Sequence, residues 1–162
     1  MKVEFITEWF GLDTLGAEEL AKLRKPVEHA ILHAMLYYEG KVKKKLAAIP
    51  ARTGRIYIIN GRPHQASAPG EPPAPLTGKL RQSITHTDVR WDGDDASGEV
   101  GSPLARAARL EFGGVDSRGI RILPRPYFSA VWLEEEAKLQ SILDTAVSDA
   151  PVLADLGLEV TP

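Results

Sequence analysis

The stretch LAKLRKPVEHAILHAMLYYEGKVKKKLAAIP, residues 20–50, decides the fold. Leu20, Leu23, Val27, Ile31, Ala34, Tyr38, Val42, Leu46 and Ile49 recur every three or four residues, which lays one apolar stripe along a long helix. Asp13 or Thr14 is placed to cap its start, and Glu18 and Glu19 fill the first turns, where the helix dipole favours anions. Lys41, Lys43, Lys44 and Lys45 stand toward the far end, where it favours cations, and Pro50 is the stop. Pro26 has no N–H to donate, so a kink or a fresh helix start is expected near it.

Outward from the helix the periodicity changes. Six of the 12 prolines (Pro50, Pro63, Pro69, Pro72, Pro73 and Pro75) crowd into residues 50–75, with Thr53-Gly54, Asn60-Gly61 and Pro69-Gly70 as turn signals. Arg55-Ile56-Tyr57-Ile58-Ile59 beside Asn60-Gly61 reads as one limb of a β-hairpin, and His64 to Pro75 as extended, polyproline-like chain. Together they predict a projecting arm at about 50–76. Ser83 to Trp91 alternates and reads as a strand, Asp92-Gly93-Asp94-Asp95 as a turn, and Ser97 to Gly101 as the return strand. Ser102-Pro103 opens a short helix that ends at Gly113-Gly114. Ile120 and Ile122 suggest another strand. Pro126 opens a last helix with Phe128, Val131, Trp132, Leu139, Ile142, Leu143 and Ala146 on its apolar face. Val3, Phe5 and Trp9 add an edge strand, and residues from about 148 on form a loosely held tail. The sum is one α+β domain over 1–162: a small antiparallel sheet packed by a long N-terminal and a C-terminal helix, with a proline-rich arm.

Composition narrows the chemistry. The 162 residues contain no cysteine, which excludes a disulfide scaffold, a thiol nucleophile and a thiolate metal site. Hydrophobic residues at 43% and charged residues at 26% match a globular protein. No apolar run approaches the roughly 20 residues of a membrane span. Lys2, Glu4 and Glu8 interrupt the place of a secretory signal, so residence inside a cell is the expectation. Residues 1–90 carry 14 Lys and Arg against 9 Asp and Glu, a net +5; residues 91–162 carry 6 against 13, a net −7. Such a split suits head-to-tail self-association, which closes into a ring when the rotation permits, and equally suits two solvated faces of one domain.

Catalytic patterns fail one by one. His29 and His33 share a helix face, with His64 or His86 as a third ligand, but Ala30 stands where a zincin needs glutamate. No G-x-S-x-G serine elbow occurs, and Gly113-Gly114 ends a helix instead of opening one on a phosphate. Asp94-Asp95 is turn chemistry and Glu134-Glu135-Glu136 the solvent face of a helix. The expectation is no catalysis, no metal and no cofactor. Lys41, Lys43, Lys44, Lys45, Arg52, Arg55 and Arg62, with Tyr57 for stacking, offer a sequence-independent DNA surface as the alternative. The ordinary account of the same lysines is a solvated helix end.

Three segments in register carry a resemblance: Thr77-Gly78-Lys79-Leu80-Arg81-Gln82-Ser83-Ile84, Leu110-Glu111-Phe112-Gly113 and Arg125-Pro126-Tyr127-Phe128. Over about residues 15–147 the chain resembles the gene-product-ten-like family of long-tailed (siphovirus-type) bacteriophages, the neck, head–tail joining and tail-completion proteins. There a long helix leads into a "TG-L-SI" motif and a strand, and "EFG" and "RP-F" elements open the final helix. The segment from His64 to Ala74 is similar to the arm of many members. The chain departs from the pattern at Leu104 to Arg109, where a tyrosine-alanine pair is common, and at Gly114, where threonine is common.

The resemblance implies a structural virion protein that assembles as a ring at the head–tail junction. Its implied partners are copies of itself and neighbouring neck, portal-side adaptor or tail proteins, with DNA passing through the lumen and no membrane. Host cytoplasm is its implied place during assembly. The expected interface is the arm: Arg55, Tyr57, His64, Gln65, Pro69, Glu71 and Pro72. Thr77, Gly78, Leu80, Arg81, Ser83, Ile84, Glu111, Phe112, Gly113, Arg125, Pro126 and Phe128 are the shaping motif. Arg81 and Glu111 are expected as partners, Leu80 and Ile84 as inward-pointing, and Lys41, Lys43, Lys44 and Lys45 as the candidate DNA-facing set.

Overall fold

Apolar side chains three and four apart share a face only on a continuous helix. In the computed structural model α1 spans Ala17–Ala47 and passes through Pro26 unbroken, so no fresh helix begins there. Leu23, Val27, Ile31, Ala34, Tyr38, Val42 and Leu46 of the stripe are buried, joined by Ala30 and Met35. Burial on both sides of Pro26 outweighs the one helical hydrogen bond that proline removes. The structure describes residues 1–7, 17–48, 52–116 and 119–148. Trp9, the cap at Asp13 or Thr14, Ile49, the stop at Pro50 and the tail from residue 149 lie outside them, as do the side chains of Leu20 and Ala146.

In chain order β1 (Lys2–Thr7) precedes α1, and β2 (Ile56–Ile59), β3 (Arg62–Gln65), α2 (Lys79–Gln82), β4 (Thr85–His86), β5 (Arg90–Asp92) and β6 (Asp95–Gly101) follow it. Then follow α3 (Ala105–Phe112), β7 (Gly114–Val115), β8 (Arg121–Ile122) and α4 (Phe128–Ser148). The fold is α+β, with small antiparallel sheets and long first and last helices. By contact it divides into two compact units. One comprises Met1, Glu39–Thr85 and Gly101–Glu134; the other draws its described residues from Lys2–Tyr38, His86–Val100 and Glu135–Pro162. The charge asymmetry is sharper by unit than by sequence half. The first unit holds 14 Lys and Arg against 5 Asp and Glu, net +9, and the second 6 against 17, net −11.

The acidic unit is built on the sheet β1-β6-β4, with β5 also paired to β6. Along β6 the burial alternates, and Ala96, Gly98 and Val100 face inward. A Cβ on Gly98 would stand 2.5 Å from Met35 Sδ and 3.2 Å from Ile31 Cγ2, so the strand lies on α1 as closely as glycine allows. Phe5 meets Tyr38 edge to face at 5.8 Å. The expected strand from Ser83 to Trp91 is split into β4 and β5. Between them the Thr87 amide donates to the Glu99 carbonyl and the Thr87 hydroxyl accepts from the Glu99 amide, so a side chain replaces a ladder bond.

The basic unit carries the hairpin β2–β3, α2, α3, the short pair β7–β8 and the start of α4. Its buried residues include Val42, Leu46, Ile84, Ala107, Tyr127, Phe128 and Val131. Ser102 does not cap α3 as expected. The helix begins two residues later than Pro103, and the Ser102 hydroxyl takes the Leu104 amide and pairs with Ser83 Oγ at 2.8 Å.

Candidate functional site: a bare hairpin on an anchored base

Asn60 (φ 51°) and Gly61 (φ 74°) both adopt left-handed conformations, the two-residue loop that matches strand twist. It sets the register Ile56↔Gln65, Tyr57↔His64, Ile58↔Pro63 and Ile59↔Arg62. Since side chains alternate, Ile56 and Ile58 fall on one face with Gln65 and Pro63, and Tyr57 and Ile59 on the other with His64 and Arg62. Ile56 is 60% exposed, Ile58 71% and Tyr57 49%. The Arg55 guanidinium lies 5.8 Å from the Tyr57 ring. A two-stranded hairpin is marginal by itself, so what fixes it must be its base.

That base is tightly built. The Ala66 amide donates to the Arg55 carbonyl at 3.0 Å and Gln65 Nε2 to the Gly54 carbonyl at 3.2 Å. A Cβ on Gly54 would stand 2.5 Å from the Ala66 oxygen and 2.8 Å from the Ser67 oxygen, both unyielding backbone. Arg125 donates from Nε and Nη2 to the Ser67 carbonyl, each at 3.2 Å, and its own amide donates to the Leu110 carbonyl at 2.7 Å. Glu71 accepts from the Thr53 hydroxyl at 2.6 Å and the Ala68 amide at 2.8 Å. These bonds, led by the Thr53 hydroxyl, hold the Glu71 carboxyl below its ordinary value. The Gly70 amide reaches the Pro124 carbonyl.

The segment expected as extended chain from His64 to Pro75 is therefore divided. His64 and Gln65 belong to β3, whereas Ser67 and Pro73 are buried and Glu71 and Pro72 half-buried; Pro69 is exposed.

One residue next to this base does more than the sequence suggests. Glu111 is 3% exposed, and its carboxylate accepts from the amides of Tyr127, Phe128 and Ser129 and from the Ser129 hydroxyl. It caps the start of α4 with a full negative charge, which suits the positive end of the helix dipole. The expected Arg81–Glu111 pairing is thus corrected: Glu111 is spent on α4, and Arg81 is exposed. Pro126 stands two residues ahead of α4 and does not begin it. Tyr127 is fully buried, its hydroxyl has no partner among the described residues, and burial pushes its pKa up, with Glu111 adding to the shift.

The motif residues are brought together unevenly. Gly78 (φ 70°) turns the chain into α2, and the Thr77 hydroxyl accepts from the Lys79 amide. The TG-L motif thus forms a helical turn before the strand. Ile84 is buried, Leu80 only half so. Gly113 (φ 78°) closes α3, where a Cβ would meet the Ile122 oxygen at 2.9 Å, and Phe112 is 69% exposed.

Of the candidate DNA-facing lysines, Lys43 pairs with Glu39 and Lys45 with Glu134, Lys44 is exposed and Lys41 half-buried. At least two of the four are thus paired with carboxylates. His29 and His33 are exposed, and among the described residues no three His, Asp or Glu side chains gather to hold a metal ion. No helix among them is long and apolar enough to cross a membrane.

Sequence reasoning took Gly54 as a turn signal and missed its close approach. It also missed the burial of Ser67 and the cap formed by Glu111. No protein-family model, curated protein or solved structure matches the chain.

Proposed function

We propose that the chain is a non-enzymatic structural protein of the head–tail junction of a long-tailed bacteriophage. In this reading copies form a ring, as a neck or tail-completion component, and join the portal side of the capsid to the tail. The observation that carries it is the bare β2–β3 hairpin. Ile56 and Ile58 lie side by side on one hairpin face at 60% and 71% exposure, above a base that leaves the hairpin little freedom. Apolar side chains held out in this way are stabilised by a partner surface, and rigid presentation lowers the ordering cost of docking. The net charges of +9 and −11 on the two units support a heterologous contact between copies, the geometry from which rings are made. The three motif segments quoted above support the same reading.

The test is a phage that carries this gene, complemented with I56S/I58S. The expected result is full heads without attached tails while the purified variant keeps its wild-type melting temperature. Tailed, infectious particles at wild-type yield would remove the hairpin from the mechanism.

A further inference from the structure

A second feature of the basic unit is a groove of about 270 Å³ beside the hairpin base. Leu46, Leu80 and Leu110 give it apolar walls, Lys79, Arg81, Arg106 and Arg125 line it with cations, and among the described residues no acidic side chain lines it. It is slightly smaller than the ~300–1,000 Å³ of a typical small-ligand pocket, a size suited to a few side chains of an extended segment.

We propose that the groove receives residues 149–162 of a second copy of this chain. The inference rests on the ring reading and names one of its contacts. The segment reads DAPVLADLGLEVTP: three acidic residues, no basic one, and the aliphatics Val152, Leu153, Leu156, Leu158 and Val160. Leu156-Gly157-Leu158 stands between Asp155 and Glu159, so two apolar side chains are flanked by carboxylates. That is the complement of apolar walls under a cationic rim: the leucines give up water and the flanking charges fix register. The β2–β3 hairpin of a neighbour has the wrong sign for this seat, since residues 55–65 hold Arg55 and Arg62 and no acid. Extended, 14 residues reach at most about 45–50 Å.

The absence of cysteine makes a clean test. Thr77 lines the groove and is exposed. Full-length T77C and L156C are mixed under mild oxidation. The expected product is a disulfide dimer of one T77C and one L156C chain, at least tenfold over like-with-like dimers and reduced at least tenfold by R106E in the T77C partner. In parallel, labelled peptide 149–162 should bind full-length L156S/L158S, and K79E/R106E in that receptor should weaken binding at least tenfold. Mixed dimers no more abundant than like-with-like ones overturn the proposal, as does ring closure within single T77C/L156C chains in place of dimers. Loss of tails in I56S/I58S together with a failed cross-link would leave the ring reading standing and dismiss only the groove contact.

Discussion

Two hairpins of this molecule have the same length of loop and opposite fates. In β5–β6, Asp92 pairs with Asp95 across Gly93-Asp94, and Gly93 (φ 62°) makes the turn. Its tryptophan is held on α1: Trp91 Nε1 donates to Glu28 Oε1 at 2.8 Å, and the Arg24 guanidinium lies 4.7 Å from the indole ring. Arg24 also donates to the Gly93 carbonyl at 3.0 Å. In β2–β3 the turn is as well formed, yet Ile56 and Ile58 face outward and the bonds gather at the base. A hairpin's turn is thus encoded locally, whereas whether its side chains find cover depends on residues far away in sequence. The covered hairpin contributes to its own unit's stability. The bare one leaves Ile56 and Ile58 to solvent, on the face that the proposed contact between copies would cover.

Substitutions should widen or erase that contrast. The largest effect is expected at the start of α4: Glu111→Ala leaves three amides there unpaired and should cost about 3 kcal/mol in denaturant unfolding. Gly54→Ala forces a methyl against backbone oxygens and should cost about 2–3 kcal/mol, with lost amide protection at Ala66. In the covered hairpin Trp91→Ala removes an indole hydrogen bond and a cation–π contact and should cost about 2 kcal/mol. I56S/I58S should stay within about 0.5 kcal/mol of wild type, because those side chains give up little solvent on folding. A cost near that of Trp91→Ala would mean the two hairpins are alike after all.

The smallest effect is a pH dependence. Glu71 is held below its ordinary value of 4.5, so its contribution is present above that value and fades as pH falls through the folded one. Amide protection at Ala68 should therefore decline as the medium is acidified below 4.5, and Glu71→Gln should remove that dependence.

How much of this was legible depended on the range of the interaction responsible. The α1 stripe from Leu23 to Leu46 was readable because helical periodicity is written into neighbouring residues. Asn60-Gly61 and Gly93 were readable because turn conformation is a property of two residues. Glu111 was not, since its partners lie 16 to 18 residues away and a buried carboxylate that caps a distant helix has no local signature. The same holds for Gly54, whose need for glycine arises from the Ala66 and Ser67 carbonyls across the hairpin base. The break between β4 and β5 was hidden for a related reason. Thr87 looks like any β-branched strand residue until its hydroxyl is seen to take the Glu99 amide.

The most direct measurement is a three-dimensional map of assembled particles. The expected result is a ring of this chain at the collar, with Ile56 and Ile58 of each copy covered by a neighbour. A collar without the chain, or a ring in which both isoleucines still face solvent, would contradict it.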